Sequence, residues 1–144
     1  MINIMKYAII FTLCSIIAVR AGIGAEQEET VYDQDVKLVS FEDLVYPSVA
    51  RMTRVQGVVV VKVKLADDGS VLSASAISGN KTLIPDTLSN VKKWRFKPNT
   101  SKSAVIVFDF RLTDGACHDN SHSLFELIHP NFASIMACSP VING

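Results

Sequence analysis

The residues in this chain that could do chemistry are few, and they lie near its C-terminal end. Cys117 is followed by His118 and His122, and Cys138 lies further along. Thiolate and imidazole groups at such spacing can bind zinc, whereas two cysteines in an oxidising compartment form a disulfide. We favour the disulfide and predict no metal site. In the chain-entropy model the closed loop would stabilise the fold by roughly 3 kcal/mol.

The remaining polar residues do not suggest catalysis. All three histidines lie in this C-terminal stretch, and neither Gly-x-Ser-x-Gly nor His-Glu-x-x-His occurs. Asp68 and Asp109 suit a turn and a strand surface better than an acid–base pair. An enzyme needs convergent reactive groups, so we predict a non-enzymatic protein without a cofactor.

The N-terminal segment predicts export. Lys6 precedes an apolar run at residues 7–19, which suits the core of a signal peptide but is shorter than the roughly 20 residues of a membrane-spanning helix. Small residues follow the run, and we predict that residues 1–25 are a signal peptide cleaved after Ala25, which would place the protein in the periplasm. Arg20 could instead stop transfer, so an inner-membrane anchor at residues 7–19 is the alternative.

Composition limits the size of the fold and the class of partner. The formal net charge is zero and becomes slightly acidic without the leader, so nucleic acid is not an expected partner. The positive mean hydropathy of +0.29 owes much to the leader. About 119 residues remain after cleavage, which suits one small domain. Residues 26–35 are acidic and lack apolar periodicity, and residues 36–45 mix apolar with acidic residues. We therefore predict an acidic, flexible lead-in at residues 26–45, to which residues 36–45 add a short strand or no regular structure.

The chain begins to specify structure at Tyr46-Pro47. Proline suits the first position of a helix, and we expect that helix to end at Gly57, with Val49, Met52 and Val55 on its buried side. A second helix is predicted to carry Pro85 in its first turn and to run to Trp94.

Between and after the helices, the apolar period changes to that of strands. Val59, Val61, Val63 and Leu65 form one apolar face, with Lys62 and Lys64 on the other. An Asp67-Asp68-Gly69 turn then leads into a return strand at residues 70–78. Residues 104–112 form the last predicted strand. The order helix, strand, strand, helix, strand predicts an α+β two-layer sandwich, in which two helices cover a three-stranded antiparallel sheet.

Taken in order, the motifs of residues 46–112 resemble the TonB C-terminal domain family. The matching positions are Tyr46, Pro47, Ala50, Gly57, Asp68, Gly69, Val71, Leu83, Leu88, Val91 and the run Trp94-Arg95-Phe96-Lys97-Pro98. Each element alone is weak, but the ordered combination is specific and covers about half of the chain. Tyr46, Trp94 and Phe96 are interpreted as packing residues rather than ligand contacts.

The resemblance implies a function in protein binding. Members of the family pair an extended peptide of an outer-membrane transporter with the edge of their last strand, a mode known as β-augmentation. That strand corresponds here to residues 104–112, so the resemblance implies a peptide-binding edge at Val105, Val107, Asp109 and Arg111. The same open edge could support self-association.

Two departures from the family pattern favour a stand-alone exported domain. Transducers carry a long proline-rich stretch, whereas residues 26–45 are not proline-rich and would span about 70 Å at most. The glutamine-proline pair that often precedes Tyr-Pro is replaced by Leu44-Val45. A structural or accessory envelope protein with the same fold is therefore the alternative function.

Residues 113–144 continue beyond the family pattern. Ser123 and Glu126 have the spacing of a helix-capping box, and Phe132, Ile135 and Met136 repeat an apolar face. We expect a short helical extension that is stapled by Cys117 and Cys138, folds back on the domain and could cover the peptide-binding edge. A purely stabilising flap is the alternative.

Overall fold

The computed structural model describes residues 35–114 and 123–140, and the fold is given for these residues alone. They form seven strands and two helices: β1 (Leu38–Ser40), α1 (Ser48–Met52), β2 (Gly57–Leu65), β3 (Val71–Ser78), α2 (Ile84–Val91), β4 (Arg95–Phe96), β5 (Ser103–Thr113), β6 (Leu124–His129) and β7 (Phe132–Cys138). None of these helices is long and apolar enough to cross a membrane.

The main sheet has five strands in the order β3-β2-β5-β7-β6, and β1 pairs with β4 in a separate two-stranded sheet. All pairings are antiparallel except the parallel pairing of β5 with β7. The α+β class is confirmed, whereas the expected three-stranded sheet is wrong because the C-terminal extension supplies two more strands.

The β2–β3 hairpin follows the sequence pattern. Val59, Val61 and Val63 have no exposed surface, whereas Lys62 and Lys64 are exposed. In β5, Ile106, Phe108 and Phe110 lie on the same buried face. The predicted apolar face of β2 is confirmed, whereas burial in β5 is continuous from Ile106 to Phe110 instead of alternating. The inward residues of both strands form one side of the core.

The C-terminal extension is a β-hairpin, so the expected helical form is wrong. Ala133, Ile135 and Ala137 alternate into the core from β7, which is the period of a strand. Ser123 and Glu126 have capping-box spacing, but a strand begins between them at Leu124. The two alanines gave this strand too weak an apolar signal to be recognised.

The first helix is shorter than expected and presents a different face. It ends at Met52, and Arg54, with φ of +54°, adopts the left-handed conformation that was expected of Gly57. Ala50 is fully buried, whereas Val49 and Met52 are more than half exposed. A small residue is buried here because the helix lies close to the core.

The core lies between the inner face of the main sheet and a layer made of both helices and the β1–β4 pair. Its largest fully buried side chains are Trp94, Phe96, Phe108 and Phe110. Val36 and Leu44, which belong to the predicted lead-in, also contribute buried side chains. The residues just before Tyr46 are therefore part of the packed structure.

Candidate functional site

The Asp-Gly turn contacts the Trp-Arg-Phe-Lys-Pro segment directly. The Phe96 amide donates a hydrogen bond to the Gly69 carbonyl oxygen over 2.9 Å, and Ser70 forms a β-bridge with Arg95. A Cβ atom at Gly69 would overlap the Phe96 carbonyl oxygen. The turn therefore needs glycine both for its φ of +82° and for this close approach.

Charged groups reinforce the same contact. Asp68 accepts hydrogen bonds from the Ser70 hydroxyl at 2.6 Å and the Ser70 amide at 2.9 Å. Both hydrogen bonds lower the pKa of the Asp68 carboxyl, and the bond from the Ser70 hydroxyl has the larger effect. An Arg95 nitrogen lies 3.6 Å from the other carboxylate oxygen. Because the Arg95 and Asp68 side chains are both more than half exposed, their ion pair contributes little energy and mainly orients the turn.

Trp94 is the centre of an aromatic cluster that joins the family motif to the C-terminal hairpin. Its ring centroid lies 5.4 Å from that of Phe108 and 6.2 Å from that of Phe96. It also lies 5.9 Å from Phe41 and 6.3 Å from Phe125 of β6. Such contacts stabilise beyond simple burial by about 0.5–1.5 kcal/mol each, and the Trp94 side chain, 1% exposed, packs within the core.

Asn90 orients this cluster, and it was not identified from the sequence. Its side-chain oxygen accepts a hydrogen bond from the Trp94 indole nitrogen at 2.9 Å. Its amide nitrogen donates to the carbonyl oxygens of Glu42 and Asp43 at 3.2 and 3.3 Å. The buried Asn90 thus ties α2 to the segment before Tyr46. A polar residue one helical turn before the only tryptophan was the available signal.

Tyr46 contacts β5 through a separate aromatic pair. Its hydroxyl donates to the Val55 carbonyl oxygen at 2.7 Å, and its ring meets the Phe110 ring edge to face at 5.4 Å. Burial raises its pKa to about 12. This packing agrees with the interpretation of Tyr46 as structural, and the hydrogen bond fixes the turn that leads into β2.

The predicted peptide-binding residues lie on a strand that is paired on both sides. Val105, Val107 and Asp109 face Lys62, Val60 and Val58 of β2. From Val107 to Thr113, β5 also pairs with β7. The expectation of an open edge at β5 is therefore wrong over this length, because the extension lies against it. Coverage of the edge by the extension agrees with the sequence hypothesis; peptide binding by the four residues stays a prediction.

The four predicted edge residues are not a uniform set. Val107 and Asp109 are more than nine-tenths buried, Val105 is partly buried and Arg111 is exposed. The Arg111 guanidinium nitrogen lies 2.7 Å from an Asp109 carboxylate oxygen. This ion pair lies on the outer face of the sheet and is available to solvent mainly through the arginine.

Among the described strands, β3 and β6 form the two ends of the main sheet. Beside β6 lies a groove of about 260 Å³ lined by Leu38, Val39, Phe41, Leu127, Ile128, His129 and Pro130. Beside α2 lies a polar cleft of about 380 Å³, where Glu42 and Lys93 form an ion pair at 2.8 Å. The groove, with its apolar lining, is the better candidate for contact with a protein.

The other predicted positions have structural roles or lie outside the described residues. Pro47 precedes the first helical residue, Val71 begins β3 and packs on the core with Leu88, and Pro98 follows β4. Cys117, His118 and His122 lie outside the described residues, so the disulfide stays a prediction. Within residues 35–114 and 123–140, no group of three or more His, Cys, Asp or Glu could hold a metal ion.

Comparison with known proteins places the domain. Residues 42–112 match the sequence profile of a family described as the Gram-negative bacterial TonB protein C-terminal. The solution NMR structure of the Pseudomonas aeruginosa TonB C-terminal domain matches with a TM-score of 0.45 and 24% identity over 55% of this chain and 88% of that chain. No curated protein sequence matched significantly. Through residues 42–112, the chain belongs to the TonB C-terminal family, whose domains are non-enzymatic protein-interaction domains involved in TonB-type transport.

Proposed function

We propose that this protein is a periplasmic protein-binding module that pairs a sheet edge with an extended peptide of an outer-membrane transporter. The match of residues 42–112 to the TonB C-terminal family is the observation that carries this proposal. Such pairing takes its affinity from main-chain hydrogen bonds and its selectivity from alternate side chains.

The surface of the described residues supports a protein partner. Large apolar side chains are exposed on both end strands of the sheet, including Leu72 at 69% and Ile77 at 59% on β3 and Leu124 at 58% on β6. Exposed apolar groups beside an unpaired strand edge favour strand addition.

Export is part of the same proposal. A leader at residues 1–25 would deliver the domain to the periplasm, where Cys117 and Cys138 could pair. Cys138 lies beside Thr113 in the β5–β7 register, and Cys117 follows Thr113 closely in sequence, so the sequence distance allows Cys117 to reach Cys138. The intact mass of protein purified from a periplasmic fraction tests both cleavage after Ala25 and loss of two thiol hydrogens.

The binding experiment is a titration of the exported protein with N-terminal peptides of outer-membrane transporters, followed by amide resonances in two-dimensional NMR. We expect peptide-dependent shifts confined to one strand edge and its neighbours. Absence of shifts at millimolar peptide, where even weak binding with a free energy of about −4 kcal/mol would be detected, contradicts the proposed function.

An accessory envelope protein without energy transduction is the second candidate. The observation that favours it is the pairing of β5 with β7, because the strand offered in the family is occupied here by the chain itself. This candidate predicts binding to other envelope proteins, or self-association through a sheet edge, with no transporter peptide bound. Sedimentation velocity over a range of protein concentrations tests the self-association.

A further inference from the structure

We propose that the edge of β6 is a docking site for an extended segment of another protein, with apolar side chains at alternate positions and a basic side chain opposite Glu126. This inference rests on the proposed function and names the edge and the partner chemistry. It differs from the sequence expectation, which assigned the edge to β5.

The backbone of β6 is available for pairing on one side. β6 pairs antiparallel with β7 from Leu124↔Met136 to His129↔Phe132, and in the part of the chain that the structure describes no strand lies beyond it. Alternate residues of an antiparallel end strand direct their N–H and C=O groups away from the sheet. An added strand would satisfy these groups.

The apolar groove lies where the inward side chains of an added strand would point. Phe125 and Leu127 alternate toward the core from β6, opposite the buried Ile135 and Ala133. Leu127 lines one wall of the groove, and the segment from Leu38 to Phe41 lines the other. Alternate valine- or leucine-sized side chains of a partner strand would enter this space.

The walls of the groove are exposed but firmly supported. Val39 is 60% exposed, Phe41 42% and Ile128 48%. The Phe41 ring nevertheless lies 5.7 Å from the Phe125 ring and 5.9 Å from Trp94. Because the aromatic cluster holds Phe41 in place, little ordering is required when a partner binds, which favours affinity.

On the outer face of β6, the charge of Glu126 selects the partner. Glu126 pairs with Ser134 of β7 and is exposed, so its side chain lies on the outer face, away from the groove. A lysine or arginine directly across from it would be favourable, and an acidic residue would be unfavourable. The β3 edge lacks such a selector, because residues 71–78 carry no charged side chain.

A designed peptide tests this site in the full exported protein. The probe is a capped peptide of about ten residues that alternates valine and threonine, with lysine in place of the central threonine. A second peptide has glutamate at that position, and a third has the same composition with the valines contiguous. We expect the lysine peptide to shift the amides of residues 124–129 and the contiguous peptide to shift none.

Charge reversal supplies the specific readout. The lysine peptide should bind roughly three- to tenfold more tightly than the glutamate peptide, as expected from one favourable and one unfavourable cross-strand pair. Glu126→Lys should reverse this preference. Lys62→Glu, an exposed reversal on β2, is the matched control and should leave it unchanged. Val39→Asp should weaken both peptides by roughly threefold or more, because it places a charge in the groove.

The outcomes separate this inference from the proposed function. Shifts confined to β3, loss of β7 resonances, or a preference unaffected by Glu126→Lys would overturn the β6 site, even if transporter peptides bind. Conversely, if the lysine peptide docks at β6 while no transporter peptide binds, the docking site stands and the proposed transport function fails.

Discussion

Replacing Gly69 with alanine tests whether the Asp-Gly turn and the Trp-Arg-Phe-Lys-Pro segment act as one unit. The new Cβ would overlap the Phe96 carbonyl oxygen. That carbonyl cannot move easily, because the Phe96 amide bonds to Gly69 and Phe96 pairs with Leu38 of β1. The Phe96 side chain is also only 2% exposed. Relief of the overlap must therefore disturb the β1–β4 pair.

The expected loss of stability has three parts. Placing alanine in a left-handed conformation costs roughly 1–2 kcal/mol. Loss of the Phe96–Gly69 hydrogen bond costs about 1 kcal/mol, and displacement of the packed Phe96 adds about 1–2 kcal/mol. We therefore expect Gly69→Ala to lower the free energy of unfolding by about 4 kcal/mol, a large part of the total for a small domain.

Gly57→Ala is the matched control, since it separates backbone conformation from the overlap. Gly57 has φ of +134°, and a Cβ built there meets no heavy atom within 4 Å. Its φ is further from the left-handed region than that of Gly69, so backbone conformation alone predicts that Gly57→Ala is the more harmful change. Urea unfolding, followed by Trp94 fluorescence, measures both. A loss for Gly69→Ala no larger than that for Gly57→Ala refutes the coupling.

Three further predictions concern hydrogen bonding, pH and redox state. Asn90→Ala should lower the free energy of unfolding by about 2–3 kcal/mol, because the buried Trp94 N–H loses its acceptor; urea unfolding would show a smaller loss if water replaced that acceptor. The Tyr46 phenol is neutral in both states below its unfolded pKa of 10.0, so its stabilising contribution is complete there and is lost as the pH rises toward the folded value of about 12. In the Tyr46→Phe variant, the free energy of unfolding should fall less between pH 10 and pH 12, by an amount on the order of 2 kcal/mol. If the variant and the unsubstituted protein lose the same stability over this pH range, the prediction is wrong. A reductant should lower the melting temperature if Cys117 and Cys138 are paired, and the Cys117→Ser variant should not respond.

Local patterns were sufficient to predict the central part of the fold. Val59, Val61 and Val63 share one apolar face, and Lys62 and Lys64 mark the opposite face as exposed, so the period of the sequence and the burial in the structure agree. The Asp68-Gly69 turn has few conformations available, and because it lies between two predicted strands, it indicates an antiparallel hairpin. These elements required no knowledge of distant contacts.

The extension was misinterpreted because its signals were short and mixed. Ile135 fits both a helical and a strand pattern, and Ala133 and Ala137 contribute little hydrophobic contrast. Their burial depends on β5, whose apolar face they extend. Asn90 and Phe41 were missed for a related reason, since each obtains its role from Trp94. Such contacts depend on tertiary structure rather than on local sequence.

The position of β7 decides between two ways in which this domain could bind a peptide. A peptide that pairs with β5 beyond Val107 must first displace β7 and expose Ala133, Ile135 and Ala137, which are at most 5% exposed. At about 0.8 kcal/mol per buried methylene-sized group, exposing these three side chains costs about 5 kcal/mol, which corresponds to a loss of affinity on the order of several thousandfold. Addition at β6 incurs no such cost. The extension therefore moves the available edge outward from β5 to β6. At this edge a peptide would contact an apolar groove and Glu126 instead of Val105 and Val107.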